Sequence, residues 1–190
     1  MEKIIYIQKF GDLEPGILIK LKKNLKWELK DFIDSVKILP ESIPITDSEY
    51  DPSRRQYNAS LLLSKLIEYT NKKQYFRTLG IIDKDIFSRF LNFVFGVAII
   101  LKKHFLKGPG AALISIARLR ESFYRRPENE ALFELRVLKE AVHELGHTLG
   151  LEHCNNNCVM QFSNCLADTD EKPAEYCRSC SNKLKKVLLN

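Results

Sequence analysis

A chain of 190 residues is long enough for one domain of ordinary size, and its 45% hydrophobic content is that of a folded protein with a substantial core, which excludes disorder as the default state. A formal net charge of +6 and a pI near 9.0 would suit nucleic acid or an anionic membrane, but the lysines are scattered and no recognition motif accompanies them, so neither is expected as a partner. The opening MEKIIYIQKF lacks the long apolar core of a secretory signal, no run reaches the roughly 18 apolar residues of a membrane helix, and all five cysteines lie between 154 and 180, so a cytoplasmic protein with metal-binding thiols is expected.

In chain order, Ile4 to Gln8 reads as a first strand. After the turn signals at Gly11 and Pro15-Gly16, Leu18, Leu21, Leu25 and Leu29 recur at helical spacing. SVKILP reads as a second strand ended by Pro40, and the proline-rich, polar stretch from Glu41 to Asn58 reads as a surface loop. Asn58 is placed to cap a helix running to about Thr70, with Leu62, Leu66 and Tyr69 on one face. Three further strands are expected in YFRTLGIID, NFVFGVAII and ALISIAR. Lys102 and Lys103 end the apolar run of the second, and a KGPG turn around Pro109 precedes the third. A long helix follows, with Pro127 in its first turn and Leu132, Leu135, Leu138, Val142, Leu145 and Leu149 as a core stripe. The pattern predicts a single domain, about 1–150 as its main part and about 151–190 as a small cysteine-rich lobe.

The long helix ends in HELGHTLGLEHC, residues 143–154. Residues four apart on a helix lie about 40° apart around its axis, so His143 and His147 aim two imidazoles at one point where a zinc ion is expected. Glu144 lies about 100° round from His143, beside the metal rather than on it, in position to take a proton from a zinc-bound water. On an unbroken helix His153 would point about 240° away from His147, so the helix must stop first. Gly150 falls where a left-handed turn would stop it and return His153 to the metal. Three positions matching HExxH arise by chance in roughly 2% of chains of this length; adding Gly150 and His153 lowers that to about 1 in 10,000. A purely structural zinc would leave Glu144 without a purpose, so the expected chemistry is hydrolysis, with a binding protein of little or no turnover as the alternative.

Cys154-x3-Cys158 and Cys177-x2-Cys180 are two pairs, each spaced to clasp one tetrahedral ion. Two disulfides or unrelated buried thiols are the alternatives, and Cys165, the odd residue, could replace Cys158 as a ligand. HELGHTLGLEH resembles the elongated zinc-binding consensus of the metzincin metallopeptidases. The cysteine directly after the third histidine, the CVM turn at Cys158–Met160 and the terminal CxxC resemble the archaemetzincins within that clan. RRQYN before a helix, GIIDKDIF followed by NFVFG, and a strand ending in AR agree with the same family from about Arg54 onward, although the x3 gap is slightly shorter than the family's usual one. The resemblance implies an α+β, zincin-like fold: a twisted mixed sheet with helices, a long zinc-binding active-site helix and a small C-terminal subdomain. It further implies a zinc metallopeptidase in which His143, His147 and His153 hold a catalytic zinc, Glu144 is general base and acid, and Met160 forms a methionine turn beneath the metal. Cys154, Cys158, Cys177 and Cys180 would hold a second, structural zinc, two ions per chain, leaving Cys165 as a small buried side chain. A peptide or protein substrate would lie extended along an edge strand, for which 93–98 is the candidate, with an ordinary buried strand as the other reading of that segment. The molecule is expected to act as a monomer.

Overall fold

The computed structural model describes residues 2–101, 106 and 108–188. Strand β1 (Ile4–Phe10) leads through helix α1 (Pro15–Glu28) to β2 (Ser35–Ile43). The short strands β3 (Tyr50–Asp51) and β4 (Gln56–Asn58) precede helix α2 (Ala59–Lys73), β5 (Arg77–Ile82) and β6 (Ile86–Phe87). Strands β7 (Gly96–Ala98) and β8 (Gly110–Ser115) then lead to the long helix α3 (Glu130–Thr148), followed by α4 (Leu166–Glu171) and α5 (Arg178–Leu188).

Five strands form one sheet in the order β2-β1-β5-β8-β7, with β7 antiparallel to β8 and every other pairing parallel. Parallel neighbours need a crossover connection, and α1 and α2 supply it. Every residue of β5 and β8 is buried, as strands covered on both faces must be. Their side chains alternate between two cores: Leu79, Ile81, Ala112 and Ile114 pack with α1 and α3, while Ile82, Ala111 and Leu113 pack with Leu62 and Leu66 of α2. The sheet is thus the middle layer of three. The first core continues without a break into Leu151, Cys158, Val159, Met160, Tyr176 and Leu184, so residues after α3 share it instead of building their own.

The expected caps and faces of the first half are present. Asn58 Oδ1 accepts from the backbone N–H groups of Ser60 and Leu61, at 3.0 and 3.3 Å, satisfying two donors that a helix start leaves free. Asn58→Ala should lower stability by about 1 kcal/mol, read as a lower urea midpoint at unchanged slope. Leu18, Leu21, Leu25 and Leu29 are all buried as expected. On α2, Thr70 takes the buried place expected of Tyr69; its hydroxyl bonds back to the Leu66 carbonyl at 2.6 Å.

Several expectations are corrected. Pro40 does not end β2, which continues to Ile43: Ile7 is opposite Ile38 but Lys9 is opposite Ser42, so extra residues bulge out around Pro40 on an edge strand, where its missing N–H is tolerated. The expected loop between β2 and α2 contains β3 and β4, paired antiparallel. The strand expected over NFVFGVAII is only Gly96–Ala98 by pairing, because Val94 turns away and donates to the Ile86 carbonyl at 3.1 Å. Lys102, Lys103 and Lys107, used as sequence landmarks, lie outside the described residues.

The stripe on α3 is the instructive miss. The helix starts at Glu130 with Asn129 as its cap, and Pro127 lies before it. Leu135 is 40% exposed and Leu132 and Leu138 are half-buried, whereas Phe133, Val137 and Ala141 are buried. The leucine periodicity is misleading because the polar side of the helix is buried too. Arg136 grips Asp170 through two nitrogens, at 2.6 and 2.7 Å, and reaches Glu121 at 2.7 Å. Lys139 donates to the Thr169 and Asp170 carbonyls, and Glu140 pairs with Lys172 at 2.9 Å. Such charges are buried only when matched in this way, and the match packs α4 along α3.

Candidate active site

Helix α3 ends where the sequence requires. Gly150 has φ +84°, its N–H reaches the His147 carbonyl and the Leu151 N–H reaches the Gly146 carbonyl, both at 3.0 Å. This is the paired-bond left-handed terminus that only glycine enters without steric cost. The reversal also brings the Leu151 carbonyl to 2.8 Å from His147 Nδ1, and the Val159 carbonyl lies 2.8 Å from His143 Nδ1. A carbonyl can only accept, so each Nδ1 carries the proton and each Nε2 presents a lone pair.

Those two Nε2 atoms are 3.1 Å apart, and His153 joins them with all three ligand atoms within 4.8 Å. Two imidazoles bound at about 2.05 Å to one tetrahedral ion would be about 3.3 Å apart, so the set fits zinc. Burial lowers the pKa of His143 well below the ordinary value and also lowers those of His147 and His153, which keeps the rings in the neutral form a metal needs. Met160, fully buried, sits beneath: its sulfur occupies the space a side chain on Gly146 would need.

Glu144 faces the same cavity, of about 570 Å³, that the three histidines line. Its carboxylate has no hydrogen-bond partner among the described residues. Strand β7 confines it instead: a Cβ built on Gly96 would lie 2.5 Å from Glu144 Cγ. Burial, and then the neighbouring Glu140 carboxylate, push the Glu144 carboxyl well above the usual range, with the Lys172 ammonium opposing them.

The four cysteines Cys154, Cys158, Cys177 and Cys180 form a second cluster, again with all ligand atoms within 4.8 Å. Cys154 and Cys177 sulfurs are 3.8 Å apart, the separation of about 3.8 Å expected for two thiolates bound at 2.3 Å to one tetrahedral ion. No disulfide joins them. The Cys180 N–H, helped by Asn156, draws Cys177 down to about 6, while burial pushes Cys158 and Cys180 up. Thiols this crowded shed their protons together only when a cation takes their charge. Cys165 is outside the cluster and is exposed, not buried, because it stands at the solvent-facing start of α4, where its N–H and that of Asn164 bond to Asp168.

The segments RRQYN, GIIDKDIF, NFVFG and the AR strand end meet in one hydrogen-bonded hub. Arg118 donates twice to Asp85, at 2.6 and 2.8 Å, and Gln56 donates to both Asp85 and the Asn92 carbonyl. This hub carries the chain into β7 beside the cavity. Sequence reasoning did not single out Gly96, Glu140, Ser163 or Lys172, all of which line that cavity. The HExxH helix pointed to Glu140 only through its position one turn before Glu144.

Residues 5–186 match the model of peptidase family M54. The chain is 42% identical over 182 residues to an archaemetzincin of Methanocaldococcus jannaschii, covering 95% of this chain and 92% of that one. It is 39% identical to an archaemetzincin of Pyrococcus furiosus, covering 99% and 95%. Among solved structures, the archaemetzincin of Archaeoglobus fulgidus superposes with a TM-score of 0.77 at 37% identity over 95% of this chain and 99% of its own. That of Methanopyrus kandleri superposes with 0.79 at 31% over 100% and 97%. Likeness of this extent in sequence and fold together shows that the chain belongs to peptidase family M54, the archaemetzincins, and is a zinc metallopeptidase.

Proposed function

We propose that His143, His147 and His153 hold the zinc of this peptidase, that Glu144 is its general base and acid, and that Cys154, Cys158, Cys177 and Cys180 hold a second, structural zinc. The observation that carries the reading is the convergence of three neutral imidazoles on one point, with an unpartnered carboxylate facing the same cavity. Zinc there supplies a Lewis acid for the scissile carbonyl and acidity to the attacking water. Glu144 takes that water's proton on its carboxylate and passes it to the nitrogen of the leaving amine, so no covalent enzyme intermediate is needed. Its raised pKa suits a group that must hold a proton between the two steps.

The peptide is read as an added strand on β7, antiparallel to β8 at the sheet edge. Hydrogen-bonded pairs alternate along such a ladder. Phe95 and Ile99 bond inward to Ser115 and Ala111, which leaves the main-chain groups of Gly96 and Ala98 on the open edge. An extended substrate pairing there would pass directly over Glu144. Gly96→Ala should therefore lower kcat about 10²-fold at unchanged zinc content, since its methyl would displace the Glu144 carboxylate by the order of 1 Å. Unchanged kcat would show that the carboxylate yields freely.

The subdivision into a main part, about 1–150, and a zinc-stabilised C-terminal subdomain, about 151–190, belongs to the same proposal, as does a monomeric, cytoplasmic molecule. Unpaired thiols at all five cysteines support a reducing compartment. Among the described residues no helix is long and apolar enough to cross a membrane. The test is the set of fragments released from an unbiased peptide library by zinc-loaded protein, with Glu144→Ala as control. Fragments that appear equally with both proteins would sink the assignment of Glu144.

A further inference from the structure

One wall of the active cavity carries hydrogen-bonding capacity that the protein leaves unused. Lys172 is 2% exposed, yet its ammonium meets only Glu140 Oε1, at 2.9 Å and without hydrogen-bond alignment. The Ser163 hydroxyl is likewise buried with no hydrogen-bond partner. Both residues line the cavity that holds His143 and Glu144, as does Glu140. Buried donors are rarely left unsatisfied in a native structure, and where they face a cavity the missing acceptors arrive with a ligand or with water. A second observation narrows the ligand. Lys172 and Glu140 already balance each other's charge, and Glu140 Oε1 also accepts from the Thr169 hydroxyl at 3.1 Å, so both described contacts fall on one carboxylate oxygen. The wall therefore offers donors at Ser163 and Lys172 and an acceptor at Glu140 Oε2, with no net charge of its own.

We propose that this wall selects a substrate side chain bearing a carboxamide, asparagine or glutamine, next to the bond that is cut. The carboxamide oxygen would accept from Lys172 and Ser163, and its amide N–H₂ would donate to Glu140. A carboxylate of the same shape matches the donors but faces the Glu140 and Glu144 carboxylates without a proton to offer them. A thioether of the same length matches nothing and leaves both donors buried and dry. The inference rests on the peptidase reading for its location in the cleft, but not on turnover.

The experiment uses three peptide pools, randomised except for a fixed central residue: glutamine, glutamate or methionine. Binding of each pool to zinc-loaded Glu144→Ala protein is measured by equilibrium retention, and cleavage of each by the wild type is measured in parallel. The glutamine pool should bind about tenfold more tightly than either other pool, and its kcat/KM should lead by a similar factor. Ser163→Ala removes one donor without touching the ion pair and should narrow the glutamine-over-methionine ratio severalfold at unchanged melting temperature. Replacing both charges together, Lys172→Met with Glu140→Leu, avoids stranding one of them and should erase the ratio; if that double variant does not fold, Ser163→Ala alone decides. Equal affinity for the three pools, no detectable binding of any, or a preference for glutamate would each overturn the proposal, the first meaning that water alone satisfies these donors. Selective binding of the glutamine pool with no hydrolysis by the wild type would instead defeat the assigned turnover while this inference stood.

Discussion

Glu144→Gln is expected to keep both clusters loaded with metal and to lower peptide hydrolysis about 10²- to 10⁴-fold, the range typical of a removed general acid and base. The substitution is nearly isosteric, so the side chain keeps its seat against Gly96 and the cavity keeps its shape. What it loses is the ability to hold a proton. Because the carboxylate has no hydrogen-bond partner among the described residues, its removal breaks no structural bond, and melting temperature should hold or rise slightly as a buried acid is replaced by a neutral amide. The assay pairs metal content per chain with single-turnover kinetics. Loss of zinc would place Glu144 in the ligand set, and a rate within fivefold of wild type would move the proton transfer to another group.

Cys177→Ser should cost one bound zinc per chain and, although Cys177 touches none of the histidines, weaken metal binding at the histidine cluster about 10- to 100-fold, the usual penalty when groups that orient ligands are disturbed. The path between the clusters is short. His153 is bonded in sequence to Cys154, whose N–H reaches the Met160 carbonyl at 3.0 Å. The carbonyl that orients His143 belongs to Val159, the residue after Cys158, and the Cys177 N–H in turn donates to Cys158 sulfur at 3.2 Å. The segment from His153 to Met160 is thus pinned on one side by imidazoles and on the other by thiols. Competition with a chromogenic zinc chelator would resolve the two affinities. Full affinity at the histidines after loss of the second ion would show that the shared core, through Val159, Met160 and Tyr176, holds that segment without the metal.

The metal sites were legible in sequence because their geometry is local. Helical spacing places His143, Glu144 and His147, one glycine accounts for His153, and the two cysteine pairs each fit a single turn of chain. The rest of the cleft is assembled from afar, and periodicity does not reveal it. Arg136, Lys139 and Glu140 read as an outward face of α3 because charge normally means solvent; they are buried because their partners, Glu121, Asp170 and Lys172, arrive from outside the helix. Gly96 carries no sign in sequence that its missing side chain makes room for a carboxylate 48 positions later. The expected strand across NFVFGVAII was right in kind and too long, since the apolar run that suggested it serves two different pairings, Val94 to β6 and Gly96–Ala98 to β8.

The two rims of the five-stranded sheet are unlike each other. On β2 the bulge at Pro40 removes a donor and breaks the register, which makes that rim a poor template for any further strand. On β7 the rim is regular but only three residues long and lies against the reactive carboxylate. Self-association through edge pairing is thereby discouraged on one side and kept brief on the other. An unfolded or extended chain that docks on this sheet has a single favourable berth, and that berth is the one where it is cut.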